Sequence, residues 1–375
     1  MRILSIAPYT KTYATRQNFK QNNEQANPIT PHSQNNANEL AKRTNEPNLS
    51  TYINLMNNKM NVDANIRFFT TALSKIDTDT KRKHEALEIA DIGCCDGALC
   101  RKLSEFLPAK TKYYGLDLSQ GMLDKAIEKD KEIGRKNTFY EVGNAFNLPY
   151  KKNSKDAIIL SSIMHELYSY PSEEYNEDAY SKDSILHFMQ KAYDCLKPGG
   201  VLIIKDPATP EIDAWEPIVV KNANKLDGEY PVIENDDELK NANITKLSTY
   251  DKLRRFCMDF YPAQGNIKWD KNGDCIMPRW LVTEWARHRK WLRTPENWAY
   301  EIKENYGTLR PDELSDFSKK TGFSIVKIEN ISIPNKNNIY RINDGEFELE
   351  DTQGNKLSLE DFPMFIEAVL RKPRF

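Results

Sequence analysis

The chain has 375 residues, of which 29% are charged and 39% hydrophobic, with 53 Lys and Arg against 55 Asp and Glu for a formal net charge of −2. That balance supplies no overall field for nucleic acid or an anionic membrane, and the length admits one large domain or two modest ones. Six cysteines without paired spacing and no run of about 18 apolar residues argue against a disulfide framework, a zinc pattern and a membrane span. The expectation is a soluble, cytoplasmic protein with no metal and no membrane partner. Composition carries no signal of oligomeric state.

Residues 1–48 read as a disordered tail, because the stretch from 12 onward is rich in Asn, Gln, Thr and Pro and holds too few apolar groups to offset ordering entropy. One or two helices are expected over 49–76, with Ile53 and Met56, then Ile66, Phe69 and Leu73, spaced for one face. From residue 86 apolar runs alternate with amphipathic ones. Strands are predicted at 86–93, 113–119, 138–145, 156–164 and 201–206. Helices fall at 98–107, at 119–133 behind a Ser119 cap, and at 182–196, the last ended by the turn Lys197-Pro198-Gly199-Gly200. This order implies parallel strands with right-handed crossovers, hence an open α/β sheet covered on both faces, with ligands at the carboxyl ends of its strands.

After Asp206 the rhythm breaks, and two aromatic helical segments follow at 248–261 and 278–307. Alternation resumes with a helix at 310–322, strands at 323–333 and 362–372, and a polar hairpin at 345–359 turning at Gly354. The expected organisation is a core over 49–210 holding the cofactor-binding half, a mainly helical insertion or lid over 211–309 that binds the acceptor, and the remainder of the core over 310–375.

The stretch Asp91-Ile92-Gly93-Cys94-Cys95-Asp96-Gly97 lies between the first strand and its helix. Glycine there lets a ligand approach the backbone, since it lacks Cβ and tolerates positive φ. A dinucleotide fingerprint would need glycine at 93, 95 and 98, where the chain has Gly93, Cys95 and Ala98, so a pyrophosphate reader is disfavoured. The spacing that fits is Asp91, Gly93 and Gly97, with the acid placed to meet a cation.

This set resembles the class I S-adenosylmethionine-dependent methyltransferases over residues 86–206 and again over 310–375. The resemblance implies a Rossmann-like seven-stranded, mostly parallel sheet with helices on both faces, plus the large mainly helical insertion. It implies S-adenosyl-L-methionine as cofactor, with Asp91, Gly93, Cys95 and Gly97 in the family's first motif and Cys95 at its middle glycine. Asp117, in "YYGLDLS", stands where the family has the acid that accepts the ribose hydroxyls. Leu118 and Met122 would help cover the adenine. Asn144 and Ala145 stand in the adenine segment, with Asn144 where Asp is common, and Ser161 at the end of strand four is a further cofactor contact. Gly199 and Gly200 correspond to a structural turn.

Beyond strand four lie His165, a candidate catalytic base because its ordinary pKa is near neutral, and Ser162, Glu166, Tyr168 and Tyr170, which would line an acceptor pocket. In the insertion, Trp280, Trp285, Trp291 and Trp298 with Tyr300 and Tyr306 mingle with Arg279, Arg287, Arg289, Lys290 and Arg293. Such a mixture can stack bases or bind phosphate. The favoured alternative makes the tryptophans the core of a lid and the basic residues its solvated face, since Glu284, Glu296 and Glu301 dilute the field. The leading expectation is therefore methyl transfer to O, N or C of a small or medium-sized organic acceptor. An RNA or protein substrate, and a non-catalytic cofactor-binding sensor or interaction module, are less favoured.

Overall fold

In the computed structural model the described residues are 62–76, 86–170, 179–211, 213–291, 294–332 and 340–374. The tail expected over 1–48 and the helical turn expected around Ile53 and Met56 lie outside them. No described helix is long and apolar enough to cross a membrane. The first described element is α1 (Val62–Leu73), followed by β1 (Glu88–Ile92), α2 (Ala98–Leu103), β2 (Lys112–Asp117), α3 (Gln120–Glu132), β3 (Thr138–Val142) and β4 (Lys155–Ser161). Next come α4 (Met164–Ser169), α5 (Lys182–Cys195) and β5 (Leu196–Pro207). The core closes with α10 (Pro311–Thr321), β9 (Ser324–Ile331) and β12 (Phe365–Arg371).

These strands form one seven-stranded sheet in the order β3-β2-β1-β4-β5-β12-β9, with β12 antiparallel to both neighbours and the other pairs parallel. The chain runs outward from β1 to β3 and then returns to β4 on the other side of β1. That reversal opens a crevice beyond the carboxyl ends of β1 and β4, the usual ligand position in such sheets. β4 is buried along its whole length because both faces are covered. Ile158 and Leu160 join a core with Leu167, Phe188 and Leu314, while Ala157 and Ile159 face Phe69, Leu99 and Leu103. The two-residue period of a strand divides one apolar run between two cores.

The local signals hold where they are strongest. Ser119 caps α3 by accepting a hydrogen bond from the Met122 backbone N–H at 3.2 Å. One boundary differs from expectation: β5 begins directly at Leu196, and residues 197–200 bulge opposite Asp156, since Lys155 pairs with Leu196 and Ala157 with Val201. Gly199, at φ 85°, thus makes a bulge inside the strand rather than a turn before it.

Between 211 and 309 helices carry most of the regular structure: α6 (Asp236–Asn241), α7 (Thr249–Asp259), α8 (Arg279–Trp291) and α9 (Pro295–Glu301). To them are added β6 (Pro217–Lys221), β7 (Lys268–Trp269) and β8 (Cys275–Pro278), which join β10 (Glu348–Asp351) and β11 (Lys356–Leu357) in a five-stranded sheet. The hairpin turns at Gly354 as its sequence predicts, at φ 87°, but β10 pairs with β6 of the insertion rather than with the main sheet. Trp285 and Trp298 are buried with Phe256, Phe260, Phe347 and Phe362 in this part's own core.

The expectation of a solvated basic face is corrected by the ion pairs. Arg279 pairs with Asp213 and Glu216, Arg289 and Lys290 with Glu346, and Arg287 is fully buried. Arg287 donates to the carbonyls of Ala208 at 2.7 Å and Met364 at 3.0 Å, and Glu284 lies 3.3 Å from its other nitrogen. Glu284 in turn accepts from the backbone N–H groups of Tyr306 and Gly307 at 2.8 and 2.7 Å. Guanidiniums cannot shed their charge cheaply, so burying them demands partners. Here the partners are the ends of β5 and β12, which fastens α8 to the main sheet. The Trp291 and Glu296 side chains and Arg293 lie outside the described residues.

Candidate active site

Between β1 and α2 the backbone turns through three left-handed residues at alternate positions: Gly93 at φ 69°, Cys95 at 49° and Gly97 at 74°. The backbone N–H groups of Gly93 and Cys94 both donate to the Leu116 carbonyl, at 2.7 and 3.1 Å, which holds the turn against the end of β2. A left-handed conformation costs a non-glycine residue about 1–2 kcal/mol. Cys95 therefore carries strain that a glycine would not. Cys95→Gly is expected to change stability by less than about 1 kcal/mol, because relief of strain is offset by a freer unfolded chain. Cys95→Val should cost about 2 kcal/mol or more, since a β-branched residue fits positive φ poorly. Urea unfolding measures both, and a neutral valine would contradict the left-handed turn.

Asp117, at the end of β2, uses one carboxylate oxygen to accept from the Cys95 N–H and the other to accept from the Ser119 N–H, both at 2.9 Å. It thereby ties the glycine-rich turn to the start of α3. Burial raises its pKa, and the backbone donors of Ser119, Cys95 and Leu118 oppose that rise. Asp91 is buried behind the turn, where the Cys100 thiol donates to it at 3.5 Å. Burial, countered by that thiol and reinforced by Asp117, moves its pKa up to about 7. The Cys95 thiol is pushed up by burial and then by the negative charges of Asp117, Glu166, Asp96 and Asp91. Asp96 is already paired with Lys129 at 2.6 Å. The turn thus faces a field set chiefly by Asp117 and Glu166, which accommodates a cation and opposes a diphosphate.

The remaining predicted residues fall around this turn. Leu118 is exposed, Met122 is buried on α3, and Asn144 and Ala145 follow β3. Asn144 Oδ1 accepts from the Phe146 N–H at 3.0 Å, closing a local turn. Ser161 ends β4, and Ser162, left-handed at φ 59°, donates its N–H to the Lys205 carbonyl at 2.8 Å. Glu166, Tyr168 and Tyr170 follow on and just after α4, where Tyr170 donates its hydroxyl to Glu304 at 2.9 Å.

His165 is buried, and its Nδ1 lies 2.8 Å from Asp206 Oδ1. Its Nε2 lies 3.8 Å from Glu304 Oε2, and its ring stands edge-on to Tyr306 at 5.1 Å. Burial disfavours its charge, but Asp206, Glu304 and Glu166 outweigh that and raise its pKa to about 9. Asp206 also accepts from the backbone N–H groups of Met164 and His165, at 2.7 and 3.3 Å. Ile163 at the N-cap of α4 has no side chain that can do this, so an acid at the end of β5 caps the helix instead. Sequence reading missed Asp206 and Glu304. An acid closing an apolar strand was a usable signal for the first, whereas nothing near Glu304 marks it.

A model of the methyltransferase domain matches residues 83–273, just over half of the chain. The demethylmenaquinone methyltransferase of Lactococcus lactis subsp. lactis (strain IL1403) is 28% identical over 130 residues, which are 35% of this chain and 46% of that protein. Its counterpart in Listeria welshimeri is 26% identical over 137 residues, 36% of this chain and 52% of that one. The chain thus spans about half the length of the curated relatives it matches. A solved S-adenosylmethionine-dependent methyltransferase from Mesorhizobium loti is similar at 17% identity and a TM-score of 0.42, over 80% of this chain and 96% of that one. By the match across its glycine-rich turn and parallel strands, the chain belongs to the class I S-adenosylmethionine-dependent methyltransferase family.

Proposed function

We propose that the chain binds S-adenosylmethionine beyond the carboxyl ends of β1 and β2 and transfers its methyl group to a small or medium-sized organic acceptor that approaches from α4. The observation that carries this reading is the setting of Cys95: a left-handed turn whose N–H is held by Asp117, in a field of acids that suits a cationic sulfur and an ammonium group. The cofactor, when bound, supplies a methyl group already activated by its positive charge. What remains for the protein is to hold the two molecules in line and keep competing nucleophiles out.

Under this reading Asp117 accepts the ribose hydroxyls, and the backbone of Gly93, Cys95 and Gly97 lies against the methionine part. Leu118, Met122, Ala145 and the amide nitrogen of Asn144 meet the adenine. Ser161 faces the sulfur side with Asp91 behind the turn. Ser162, Glu166, Tyr168 and Tyr170 line the approach of the acceptor. In titration calorimetry S-adenosylhomocysteine should bind and NADH should not. Tighter binding of NADH would overturn the assignment.

His165 serves this site as a positioning residue and not as a base. A ring that keeps its proton up to pH about 9 offers no lone pair at neutral pH. Its folded pKa lies above the ordinary unfolded value of about 6.5, so the stabilisation is complete below pH about 6.5 and is lost as pH rises through about 9. The shift amounts to roughly 3 kcal/mol. Urea midpoints measured from pH about 6 to 10 should fall in the wild type and fall less in His165→Gln. Identical pH slopes in the two proteins would refute the role.

The relatives' names specify demethylmenaquinone, but the aligned 130 to 137 residues are only about a third of this chain, so the acceptor has to be argued from its own residues. An RNA substrate loses support because Arg279, Arg287, Arg289 and Lys290 are committed to acids and carbonyls inside the fold. Filter binding to tRNA at moderate salt should show no retention.

A further inference from the structure

Tyr140, on the outer strand β3, pairs in register with Gly115 of β2, which pairs in turn with Asp91 of β1. Residues in one such row project from the same face of the sheet, on strands about 4.8 Å apart. Glycine in the middle of the row leaves that face open, and the tyrosine ring fills it. A Cβ on Gly115 would lie 2.6 Å from the ring and 2.7 Å from Cys94 Sγ. The far end of the same ring lies under the turn after β1, where a Cβ on Gly97 would overlap the Tyr140 hydroxyl. Residue 97 is therefore glycine for two reasons, its φ of 74° and the oxygen beside it.

The hydroxyl is fixed in its turn. It donates to Asp130 Oδ2 on α3 at 3.1 Å, and Arg101 of α2 donates to Asp130 Oδ1 at 3.4 Å. Asp96, one residue before Gly97, accepts from Lys129 of α3 at 2.6 Å and lies 3.6 Å from Arg101. Asp96 and Asp130 are both buried, and a buried carboxylate holds on to its partners because water cannot replace them. Tyr140, packed along its ring and anchored at its oxygen, thus supports the turn from below and joins it to α3. Asp117 holds the same turn from the side of β2, through the Cys95 N–H. A ligand that lies against backbone is bound only as well as that backbone is placed, so residues behind such a turn bear on affinity without touching the ligand.

We propose that Tyr140 is a positioning residue for the cofactor: its ring, laid across Gly115, is the floor of the glycine-rich turn, and its bond to Asp130 fixes the height at which the backbone of Cys95 and Gly97 meets the methionine part. The proposal rests on the methyl-transfer reading above. It gives Gly115 and Gly97 a shared cause, since both make room for one side chain. It also makes Cys94 a local reporter, because that thiol packs against the ring and is buried only while the ring stays in place.

The test uses the full chain, with S-adenosylhomocysteine as the ligand in calorimetry and iodoacetamide as the probe of the turn. Tyr140→Phe keeps the ring, loses the bond to Asp130 and guards against a folding defect in the larger change; it should raise the dissociation constant about fivefold, the worth of one such hydrogen bond. Tyr140→Leu removes the floor and should raise it about tenfold or more. In that variant, without ligand, alkylation of Cys94 read by peptide mass spectrometry should quicken about tenfold as the turn opens. Cys257 and Cys275, buried in the separate core of the insertion, should keep their wild-type rates. A dissociation constant within about twofold of the wild type in both variants overturns the role. Equal quickening at Cys94, Cys257 and Cys275 overturns it too, since the whole fold would then have loosened. If the wild type itself does not bind S-adenosylhomocysteine, the methyl-transfer reading falls instead, and an unchanged Cys94 rate in Tyr140→Leu would then show that the ring does not hold the turn.

Discussion

Replacing Asp117 with Asn is expected to weaken binding of S-adenosylhomocysteine by about 10- to 100-fold, a loss of about 1.5–3 kcal/mol in charge-assisted hydrogen bonding. Each carboxylate oxygen of Asp117 already accepts one backbone N–H, from Cys95 and from Ser119. A second lone pair on each oxygen remains for the two hydroxyls of a ribose. An amide substitutes an NH2 group for one oxygen, so either the Cys95 N–H or the Ser119 N–H then faces a donor. Stability should fall less than affinity, because burial of the carboxylate is itself unfavourable and raises its pKa. Titration calorimetry on the purified variant reads the effect. A dissociation constant within about twofold of the wild type would show that the sugar is held elsewhere and would remove the basis of the proposed cofactor site.

Arg287→Met should lower the free energy of unfolding by about 3–5 kcal/mol, the cost of breaking a buried charge network from one side. The guanidinium is fully buried, donates to the carbonyls of Ala208, Pro363 and Met364, and faces Glu284. Methionine fills much of the volume but leaves those carbonyls and the Glu284 carboxylate without their donor. Glu284 would retain the N–H groups of Tyr306 and Gly307, which keeps the return segment partly in place. The double replacement Arg287→Met with Glu284→Gln should be less destabilised than the sum of the two singles, since the stranded charge disappears with its partner. Urea denaturation gives all three values. A cost below about 1 kcal/mol for Arg287→Met would mean that the apolar core around Trp285 and Phe256, and not this network, fastens α8 to the main sheet.

That network also bears on how an acceptor reaches the site. The insertion was expected as a lid that closes over its ligand. Buried ties run from α8 to the ends of β5 and β12, and from the return segment to α4 through Glu304 and Asn305. Each such tie sits in low dielectric, where opening it would expose an unpaired group to an apolar wall. In the folded protein these ties join this part to the strand ends of the main sheet and to α4. The tryptophans that made a nucleic-acid surface conceivable fill its interior, with Trp285 only 1% exposed.

Features with local causes can be read from the amino-acid order. Apolar runs bounded by turn residues marked β1, β2, β4 and β5, the serine at 119 marked a helix start, and the spacing of Asp91, Gly93 and Gly97 marked a glycine-rich turn. All of these depend on a few neighbouring φ and ψ values and on a two- or 3.6-residue period, so they are written within a short window. Pairings across the chain came from the packing of the fold. The carboxylate of Asp206 caps a helix whose His165 lies 41 residues before it and favours the charged form of that imidazole, the Glu304 carboxylate meets a tyrosine 134 residues away, and β10 chose β6 as its partner. A charged or amide side chain shows its sign and its hydrogen-bonding capacity in the sequence, but its partner is set by which strand ends and helix faces the packed cores bring together. For that reason the glycine-rich turn was legible in the motifs, while the Asp206 carboxylate beside His165 emerged only from the fold.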